Sequence, residues 1–333
     1  MATIRDVSQL AKVSQATVSR VLNGTVPVST TKRTAVLAAI EQLGYQPNAF
    51  ARSLATNRSQ AIGALVSELS SAAYGDIIRG IESVVEARGM HMVVSSGHAR
   101  SDLERRSFEF LKERRTDALI VQIDATGDDE LAAWVEQASL PVFVVGRHIP
   151  AIGDRCVYLD NGAGGALATR YLIERGHRHI AHIAGLMRIP DARDRLAGYR
   201  EALAEHGIKY DEALVAEGGF VEEGGYRAMQ QLLAREISFT AVFAGNDQSA
   251  AGALKALREA GLNVPDDVSL VGFDDLFIAH YLYPALTTVR QPFAEMGQAA
   301  AWLALNALGI GQEEEVTRRF DPVLSERDSV TAP

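Results

Sequence analysis

The sequence predicts an all-α helix-turn-helix head followed by an α/β body of two doubly wound, Rossmann-like subdomains. Three observations support this prediction. Residues 3–44 contain three short helical patterns separated by turn residues, whereas residues 60–333 alternate continuous apolar runs with amphipathic helical patterns. Residues 1–60 carry seven Lys or Arg and two acids, a net charge of +5, although the whole chain carries −9. A chain of 333 residues is long enough for two or three domains.

Composition and charge restrict the class of protein. A content of 47% hydrophobic and 23% charged residues is typical of an ordinary globular protein. The single cysteine, Cys156, cannot form an internal disulfide, and the eight histidines show no metal-ligand spacing, so we expect a reducing compartment, no metal and no cofactor. The N-terminus lacks a signal-peptide core, and no apolar run reaches the roughly 18–20 residues that span a bilayer. We therefore expect a cytoplasmic protein with no membrane partner.

Capping residues mark the first two helices of the head. Thr3 precedes an apolar pattern and has Asp6 three residues on, which is typical of a capping box and predicts a helix over about 4–11. After a short turn, Ser14 caps a second helix over about 14–22, whose inward side chains are Val18, Val21 and Leu22.

The third helix begins at Ser29 or Thr30 and ends at Gly44, which can adopt the positive φ that terminates a helix. Its apolar residues are Val36, Leu37, Ile40 and Leu43. Three short helices with this spacing predict a helix-turn-helix domain.

In that domain the N-terminal part of the second helix faces the major groove of DNA. Gln15 is placed to pair with adenine and Ala16 to meet a thymine methyl, while Arg20 is placed one turn on for a guanine. The other candidate DNA contacts of the head, short hydrogen-bonding side chains, are Ser14, Thr17, Ser19, Asn23 and Ser29. The alternative is an ordinary solvated helix surface on which Ser14 serves only as a cap.

A hinge follows the head. Pro47 ends the preceding segment, and Asn48 can cap a short helix that runs to about Ala55. This helix has little to pack on without a partner. We include Asn48, Ala51 and Leu54 among the candidate DNA contacts, with Leu54 as a wedge in the minor groove. The alternative is that Leu54 packs on the body.

The body predicts parallel sheets that are covered on both faces, since its apolar runs are continuous and separated by helical patterns. The predicted strands are Ala61–Val66, Met92–Ser95, Ala118–Gln122, Val142–Val145, Val157–Leu159, Ile180–Ile183, Ala241–Ala244 and Ser269–Gly272. The helical patterns include Asp76–Arg88 and Gly224–Ala234. So many units indicate two doubly wound subdomains rather than one.

Polar residues follow three of these strands at the carboxyl ends, where ligands of such folds bind. They are Gly146-Arg147, Asn246-Asp247 and Asp274-Asp275. A guanidinium, an amide and a carboxylate that converge on one cleft suit the many hydroxyls of a sugar. The alternative for Asp247 and Asp275 is structural: Asp247 is expected to cap a helix that begins at Gln248, and Asp275 can act likewise.

Enzyme motifs are weak or missing. Residues 160–165, Asp-Asn-Gly-Ala-Gly-Gly, resemble a dinucleotide loop, but Leu167 occupies the third glycine position of that fingerprint. The sequence contains neither a GxxxxGK[ST] phosphate loop nor a GxSxG elbow, which disfavours a sugar kinase or dehydrogenase. An exported sugar-binding protein is a further alternative, opposed by the basic head. His177 is expected to hydrogen-bond at a strand entry rather than to bind a ligand.

Several motifs together resemble the lactose-repressor/galactose-repressor (LacI/GalR) family of transcriptional regulators. The stretches that carry the resemblance are residues 3–7, 13–23, 45–54, 176–180, 194–199, 246–247, 272–275 and 286–292. Residues 191–195 and 239–242 are most similar to the galactose-repressor branch. The resemblance implies a body of the type I periplasmic-binding-protein-like fold, with the chain crossing between subdomains near 160, 290 and 320.

The resemblance also implies a domain organisation and a ligand pocket. It implies a DNA-binding domain at 1–46, a hinge at 47–59 and a ligand-binding and dimerisation domain at 60–333, whose subdomains are about 60–160 with 292–320 and 161–291 with 321–333. In the pocket, hydroxyl-binding positions match Arg195, Asn246 and Asp274, and an aromatic position that packs on a sugar face matches Phe220. Tyr74 and Gln291 match positions that line the cleft.

The function that the resemblance implies is a sugar-responsive regulator, most simply a repressor of carbohydrate-utilisation genes. It would bind a palindromic operator as a homodimer, and a sugar such as galactose or a galactoside would alter its operator affinity. A corepressor-dependent or activating regulator remains an alternative, and a sugar-binding protein or sugar-converting enzyme is the alternative of another class. The chain ends at Pro333 without a leucine heptad, so a dimer rather than a tetramer is expected.

Overall fold

A computed structural model of the chain describes residues 2–23, 27–45, 59–235, 237–311 and 315–333. The chain divides into two units, residues 1–59 and 60–333, and each is described by itself. Residues 46–58, which include all but the last residue of the predicted hinge (47–59), lie outside the described part, as does the side chain of Asn23. Among the described residues, no helix is both long enough and apolar enough to cross a bilayer.

Three helices form the head: α1 (Ile4–Leu10), α2 (Gln15–Asn23) and α3 (Thr30–Leu43). Val7, Val18 and Val36 are fully buried where the three helices meet, and Val21 and Leu22 pack against this core as expected. Leu37 of the apolar pattern in α3 is 50% exposed, since it lies about 100° around the helix from the buried Val36.

The predicted caps of the head are confirmed. Thr3 Oγ1 accepts a hydrogen bond from the Asp6 amide at 3.3 Å, and Asp6 Oδ2 accepts one from the Thr3 amide at 2.8 Å, which is a capping box. Ser14 Oγ accepts a hydrogen bond from the Thr17 amide at 3.2 Å. Gly44 ends α3 with a φ of 56°, a left-handed conformation that favours glycine.

The body contains two six-stranded sheets. Its strands are β1 (Ala61–Val66), β2 (His91–Ser96), β3 (Ala118–Gln122), β4 (Val142–Val145), β5 (Cys156–Leu159), β6 (Ile180–Ala184), β7 (Val215–Glu217), β8 (Ala241–Ala244), β9 (Ser269–Asp274), β10 (Thr287–Arg290), β11 (Arg319–Phe320) and β12 (Val323–Ser325). The first sheet has the order β11-β5-β4-β3-β1-β2, and its strands are all parallel. The second has the order β12-β10-β9-β8-β6-β7, and only β12 runs antiparallel.

Helices cover both faces of each sheet. They are α4 (Ala72–Glu86), α5 (Ser101–Glu113), α6 (Asp128–Gln137), α7 (Asn161–Glu174), α8 (Pro190–Glu205), α9 (Glu222–Ala234), α10 (Asp247–Glu259), α11 (Phe277–Tyr281) and α12 (Phe293–Ala307), with 3₁₀ turns at Pro150–Arg155 and Glu212–Leu214. The predicted doubly wound class is therefore confirmed. All eight predicted strands occur, with bounds within two residues of those expected. The helix expected at 76–88 begins four residues earlier, because Ala73 and Ile77 share its buried face.

The chain passes between the two halves of the body three times. It leaves the first sheet after β5, returns from β10 to α12 of the first half, and passes directly from β11 to β12. The first half therefore combines β1–β5 with α12 and β11, and the second combines α7–β10 with β12. A cleft between them faces the carboxyl ends of several parallel strands.

Candidate functional site

A pocket of about 570 Å³ lies between the two halves of the body. Its walls come from both halves, and the residues that line it are Ser71, Ala73, Tyr74, Ile77, Gln122, Asp124, Gly146, Ile189, Asp191, Arg195, Phe220, Asn246, Gln248, Asp274, Gln291 and Phe293. Six of the seven predicted ligand residues line the pocket, and Arg147 does not.

Arg195 occupies the centre of the polar wall. It extends from α8, is only 4% exposed, and its guanidinium donates to Asn161 Oδ1 at 2.8 Å, the Gly245 carbonyl at 2.6 Å and Gln291 Oε1 at 3.1 Å. These bonds use all three guanidinium nitrogens and hold the charged plane in one orientation. The structure thus brings together Arg195 and Gln291, both expected from the sequence.

Glycines allow α8 to approach α7 closely enough to present Arg195. A Cβ on Gly165 would lie 2.3 Å from the Arg195 carbonyl oxygen, and one on Gly198 would lie 2.0 Å from the Gly162 carbonyl oxygen. The glycine-rich stretch that resembled a dinucleotide loop is therefore a helix–helix contact. Its first residue, Asp160, caps α7 by accepting a hydrogen bond from the Ala163 amide at 2.9 Å.

Asp274 faces Arg195 at the carboxyl end of β9. Arg195 Nη2 lies 3.3 Å from Asp274 Oδ1, an oxygen that accepts no hydrogen bond from the part of the chain that the structure describes. Burial raises the pKa of Asp274 to about 6, and the nearby Arg195 charge partly opposes this effect. Asp274 has a φ of 105°, an unusual conformation for a non-glycine residue and one that accompanies functional sites.

Phe220 gives the pocket an aromatic surface. The Arg195 guanidinium carbon lies 5.2 Å from the centre of the Phe220 ring and 3.6 Å from that of Phe273. Gly185 makes room for the Phe220 ring, because a Cβ there would lie 2.3 Å from it. A polar wall beside an aromatic face suits the two faces of a sugar ring.

Asn246 serves the fold as well as the pocket. Its Oδ1 accepts a hydrogen bond from the Ser249 amide at 2.9 Å and caps α10, and its Nδ2 donates to the Phe220 carbonyl at 3.1 Å. The cap predicted at Asp247 is therefore wrong. Asp247 is instead fully buried and accepts hydrogen bonds from Thr288 Oγ1 at 2.5 Å and from the Leu276 amide at 2.7 Å.

Asp275 does not cap a helix either, since Leu276 precedes the first residue of α11. Its carboxylate accepts hydrogen bonds from Arg327 Nη2 at 2.6 Å and Ser325 Oγ at 2.9 Å, and so joins the loop after β9 to the end of β12 and the residues that follow it. His177 has the expected structural role: it is buried, with Nδ1 2.8 Å from Thr240 Oγ1 and Nε2 2.9 Å from the Thr331 carbonyl oxygen.

The wall from the first half of the body carries a second polar group. Tyr74 donates to Asp124 Oδ2 at 2.7 Å, and Gln122 Nε2 donates to Asp124 Oδ1 at 2.9 Å. Burial, followed by the charge of Asp124, raises the pKa of Tyr74 well above its usual value, so Tyr74 is a neutral hydrogen-bond donor. Tyr74 thus lines the pocket as expected and orients a carboxylate within it.

Arg147 points away from the pocket. Its Nη2 donates to the Thr126 carbonyl at 2.9 Å, and Nη1 lies 3.1 Å from Asp128 Oδ1. Gly146 lines the pocket in its place, with a φ of 102°. The guanidinium at this strand end therefore holds the neighbouring loop.

Sequence reasoning missed several residues of the pocket. Gln122 and Asp124 lie at the end of β3, where the same strand-end rule would have found them, and Asp191 lies in the first turn of α8, which follows β6. Gln248 lies one residue beyond Asp247, and Phe293 begins α12. Within the described ranges, no group of three or more His, Cys, Asp or Glu is arranged to hold a metal ion.

On the head, the start of α2 is available to a partner. Ser14, Gln15, Ala16 and Arg20 are exposed, as is Ser29 before α3, while Thr17 and Ser19 are half-buried. Four of the predicted DNA contacts cannot be placed. The side chain of Asn23 and residues Asn48, Ala51 and Leu54 of the predicted hinge lie outside the described residues.

Comparison with known proteins relates both units to one family. Residues 3–48 match the model of bacterial regulatory proteins of the lacI family, and residues 169–330 match that of the periplasmic binding protein-like domain. The chain is 42% identical to the HTH-type transcriptional regulator GalR of Salmonella typhimurium over 334 residues, which cover 100% of this chain and 97% of that protein. It is 39% identical to the HTH-type transcriptional repressor PurR of Escherichia coli, with 99% and 97% covered.

Two solved structures of related regulators match nearly the whole length of this chain. The lac repressor dimer bound to operator and the anti-inducer ONPF has a TM-score of 0.90 at 30% identity and covers 99% of each chain. The transcriptional regulator CelR in complex with cellobiose has a TM-score of 0.73 at 35% identity and covers 99% of this chain and 100% of that one. This chain therefore belongs to the LacI family of bacterial regulatory proteins, and it is a helix-turn-helix transcriptional regulator rather than an enzyme.

Proposed function

We propose that this protein is a cytoplasmic repressor that binds a palindromic operator as a homodimer and responds to a sugar. The observation that carries the proposal is the pocket between the two halves of the body, where Arg195 and Asp274 stand beside the Phe220 ring. Fixed donors, a carboxylate acceptor and an aromatic face suit a ligand that has many hydroxyls and one apolar face. The related regulator CelR forms a complex with a sugar, cellobiose, which supports the same class of ligand here.

The ligand set that we propose is Tyr74, Arg195, Phe220, Asn246, Asp274 and Gln291, without Arg147. Arg195 would donate to sugar hydroxyls and Asp274 would accept from them. Phe220 would pack on the C–H face of the ring. Asn246 has little hydrogen-bonding capacity left, because its amide caps α10 and binds the Phe220 carbonyl.

For DNA we propose that residues 1–46 form the binding domain, residues 47–59 the hinge and residues 60–333 the ligand-binding and dimerisation domain. The exposed start of α2 and the positive charge of residues 1–60 support this division. Two heads would match the two halves of a palindrome. Leu54 would enter the minor groove from the hinge.

Sugar and operator are linked in this proposal through the halves of the body. A sugar that contacts both halves changes their relative orientation, which alters how the hinges of the two subunits pair. The coupling between two sites is reciprocal, so sugar weakens operator binding by the same factor by which operator weakens sugar binding. This factor typically corresponds to a coupling free energy of about 1–3 kcal/mol. We propose an inducer, with galactose or a galactoside as the first candidate.

The test is fluorescence anisotropy of the purified full-length chain on labelled palindromic sites from upstream of its own gene, repeated with a panel of sugars. Tight binding that one sugar releases is the expected result. Binding that requires a sugar would reverse the sign of the coupling. Equal affinity for palindromic and random DNA would overturn the proposed operator function.

A further inference from the structure

Two carboxylates that face the pocket from opposite halves of the body suggest how it selects its ligand. Asp124 follows β3 of the first half, Asp191 lies in the first turn of α8 of the second half, and both line the pocket. We infer that Asp124 and Asp191 together bind hydroxyl groups of an uncharged sugar and exclude its acidic derivatives. This inference rests on the proposed function and specifies the chemistry of the same site.

Asp124 is held in place by its surroundings. Tyr74 and Gln122 each donate to one of its oxygens, which leaves acceptor capacity on both, since a carboxylate oxygen accepts more than one hydrogen bond. The backbone of its loop is fixed by Glu104, which is fully buried. Glu104 accepts hydrogen bonds from the amides of Asp124, Ala125 and Thr126 at 3.1, 2.9 and 2.7 Å, and from Thr126 Oγ1 at 2.6 Å.

Asp191 lies near like charges. Burial raises its pKa to about 7, the nearby carboxylates of Asp124, Asp194 and Asp274 act in the same direction, and the Arg195 guanidinium opposes them. A hydroxyl that donates to Asp191 would supply a partner for a charge that the protein leaves poorly solvated. Asp274 adds a further acceptor, since its buried Oδ1 takes no hydrogen bond from the described residues although Arg195 Nη2 lies 3.3 Å away.

The charges of the pocket set the class of ligand. Asp124, Asp191 and Asp274 face one guanidinium, that of Arg195, whose nitrogens already bind Asn161, Gly245 and Gln291. Among the described residues that line the pocket, these three carboxylates outnumber the one cation, so a phosphate or carboxylate on the ligand would meet a net negative charge. A neutral sugar brings hydroxyl donors to the same carboxylates, so the pocket prefers the neutral sugar.

The experiment is isothermal titration calorimetry of the full-length protein at pH 8 with D-galactose and D-glucose, each as the free sugar, the 6-phosphate and the uronic acid. The wild type is expected to bind a free sugar at least about tenfold more tightly than either acidic derivative, because like charges within one pocket repel. Asp124→Asn and Asp191→Asn are expected to reduce this ratio at least about threefold, because each removes one negative charge. Glu201→Gln, at an exposed position of the same helix, is the matched control and should leave the ratio unchanged.

The outcomes separate the two proposals. If the wild type binds the acidic derivatives as tightly as the free sugar, this inference is overturned and the sugar-responsive function stands. If the ratio is the same in Asp124→Asn, Asp191→Asn and Glu201→Gln, other residues select the ligand and the inference is again overturned. If none of the sugars binds, the proposed function fails and the inference fails with it. The wild-type ratio needs no variant and therefore holds even if a substitution prevents folding.

Discussion

The Asp274 carboxylate and the Arg195 guanidinium, 3.3 Å apart, lie on neighbouring elements of one half of the body and face the same pocket. Both side chains are at least nine-tenths buried. A pair with so little exposure is sensitive to the loss of either partner, because the remaining charge stays buried without compensation. Substitution of either residue therefore tests the role of the pocket directly.

Replacing Asp274 by Ala is expected to abolish the response to sugar while operator binding stays near that of the wild type. The variant loses a hydroxyl acceptor and leaves the Arg195 charge uncompensated, whereas the head is untouched. Operator release by sugar, followed by anisotropy, measures the effect. Asp266→Ala, at an exposed position before β9, is the control, and an unaltered sugar titration in Asp274→Ala would refute the role of this residue.

Arg20→Ala is expected to weaken specific operator binding by about 1–3 kcal/mol, the usual contribution of one bidentate arginine–guanine contact. Arg20 is exposed on α2, so its loss should leave the fold of the head intact. The measurement is operator affinity beside affinity for random DNA of equal length. Equal losses on both DNAs would show that Arg20 contacts phosphate rather than a base.

Asp191→Asn is expected to stabilise the ligand-free protein, and more so at high pH. Burial raises the folded-state pKa of Asp191 from 3.8 to about 7, so the folded chain binds this proton more tightly than the unfolded chain does. The resulting destabilisation is absent below about pH 4, grows as the pH rises to 7 and is complete above that. Because Asp191 is only partly buried, we expect about 2 kcal/mol at pH 8.

Thermal unfolding of wild type and Asp191→Asn at pH 5 and pH 8 checks this expectation. The difference in free energy of unfolding should be larger at pH 8. A difference that is equal at both pH values would mean that Asp191 does not titrate in this range. Glu201→Gln, exposed on the same helix, again serves as the control.

Glu104→Gln is expected to lower both the stability and the affinity for sugar. The amide can accept with one oxygen only, so at least one of the three backbone amides loses its acceptor, at a cost of about 1–3 kcal/mol. Because the loop carries Asp124, its rearrangement should weaken sugar binding as well. Glu109→Gln, exposed on the same helix and paired with Lys112, is the control. If Glu104→Gln is destabilised but binds sugar with normal affinity, Glu104 contributes to stability and not to sugar binding.

Much of the fold follows from local sequence patterns. The strands that were predicted are buried runs of apolar residues, such as β3 and β8, whose signal lies within the run itself. The strands that were not predicted are short or polar. β10 reads Thr-Thr-Val-Arg, and β11 contains two residues that become a strand only by pairing with β5. Their pairing depends on partners far away in the sequence.

The sequence predicts those pocket residues whose position is set by the end of a single strand. It does not predict those whose position is set by residues far away in the sequence. Asp274 is the last residue of β9, so its position at the strand end can be predicted from the sequence. Arg147 follows β4 in the same way but turns toward Thr126 and Asp128, residues of another loop. The position of Asp124 depends on the hydrogen bond that its backbone amide donates to Glu104. Glu104 lies 20 residues earlier, on a helix whose sequence pattern does not indicate a pocket. Such contacts belong to the assembled fold.

The three passages of the chain between the halves of the body have a consequence for engineering. Neither wall of the pocket is encoded by one continuous stretch, since β11 and β12 follow each other directly yet complete different sheets. A chimaera that exchanges one wall between two relatives therefore needs joints near residues 160, 291 and 321. A single joint placed elsewhere would combine strands from two parents within one sheet, and recombination between genes of this family would most easily exchange the head alone.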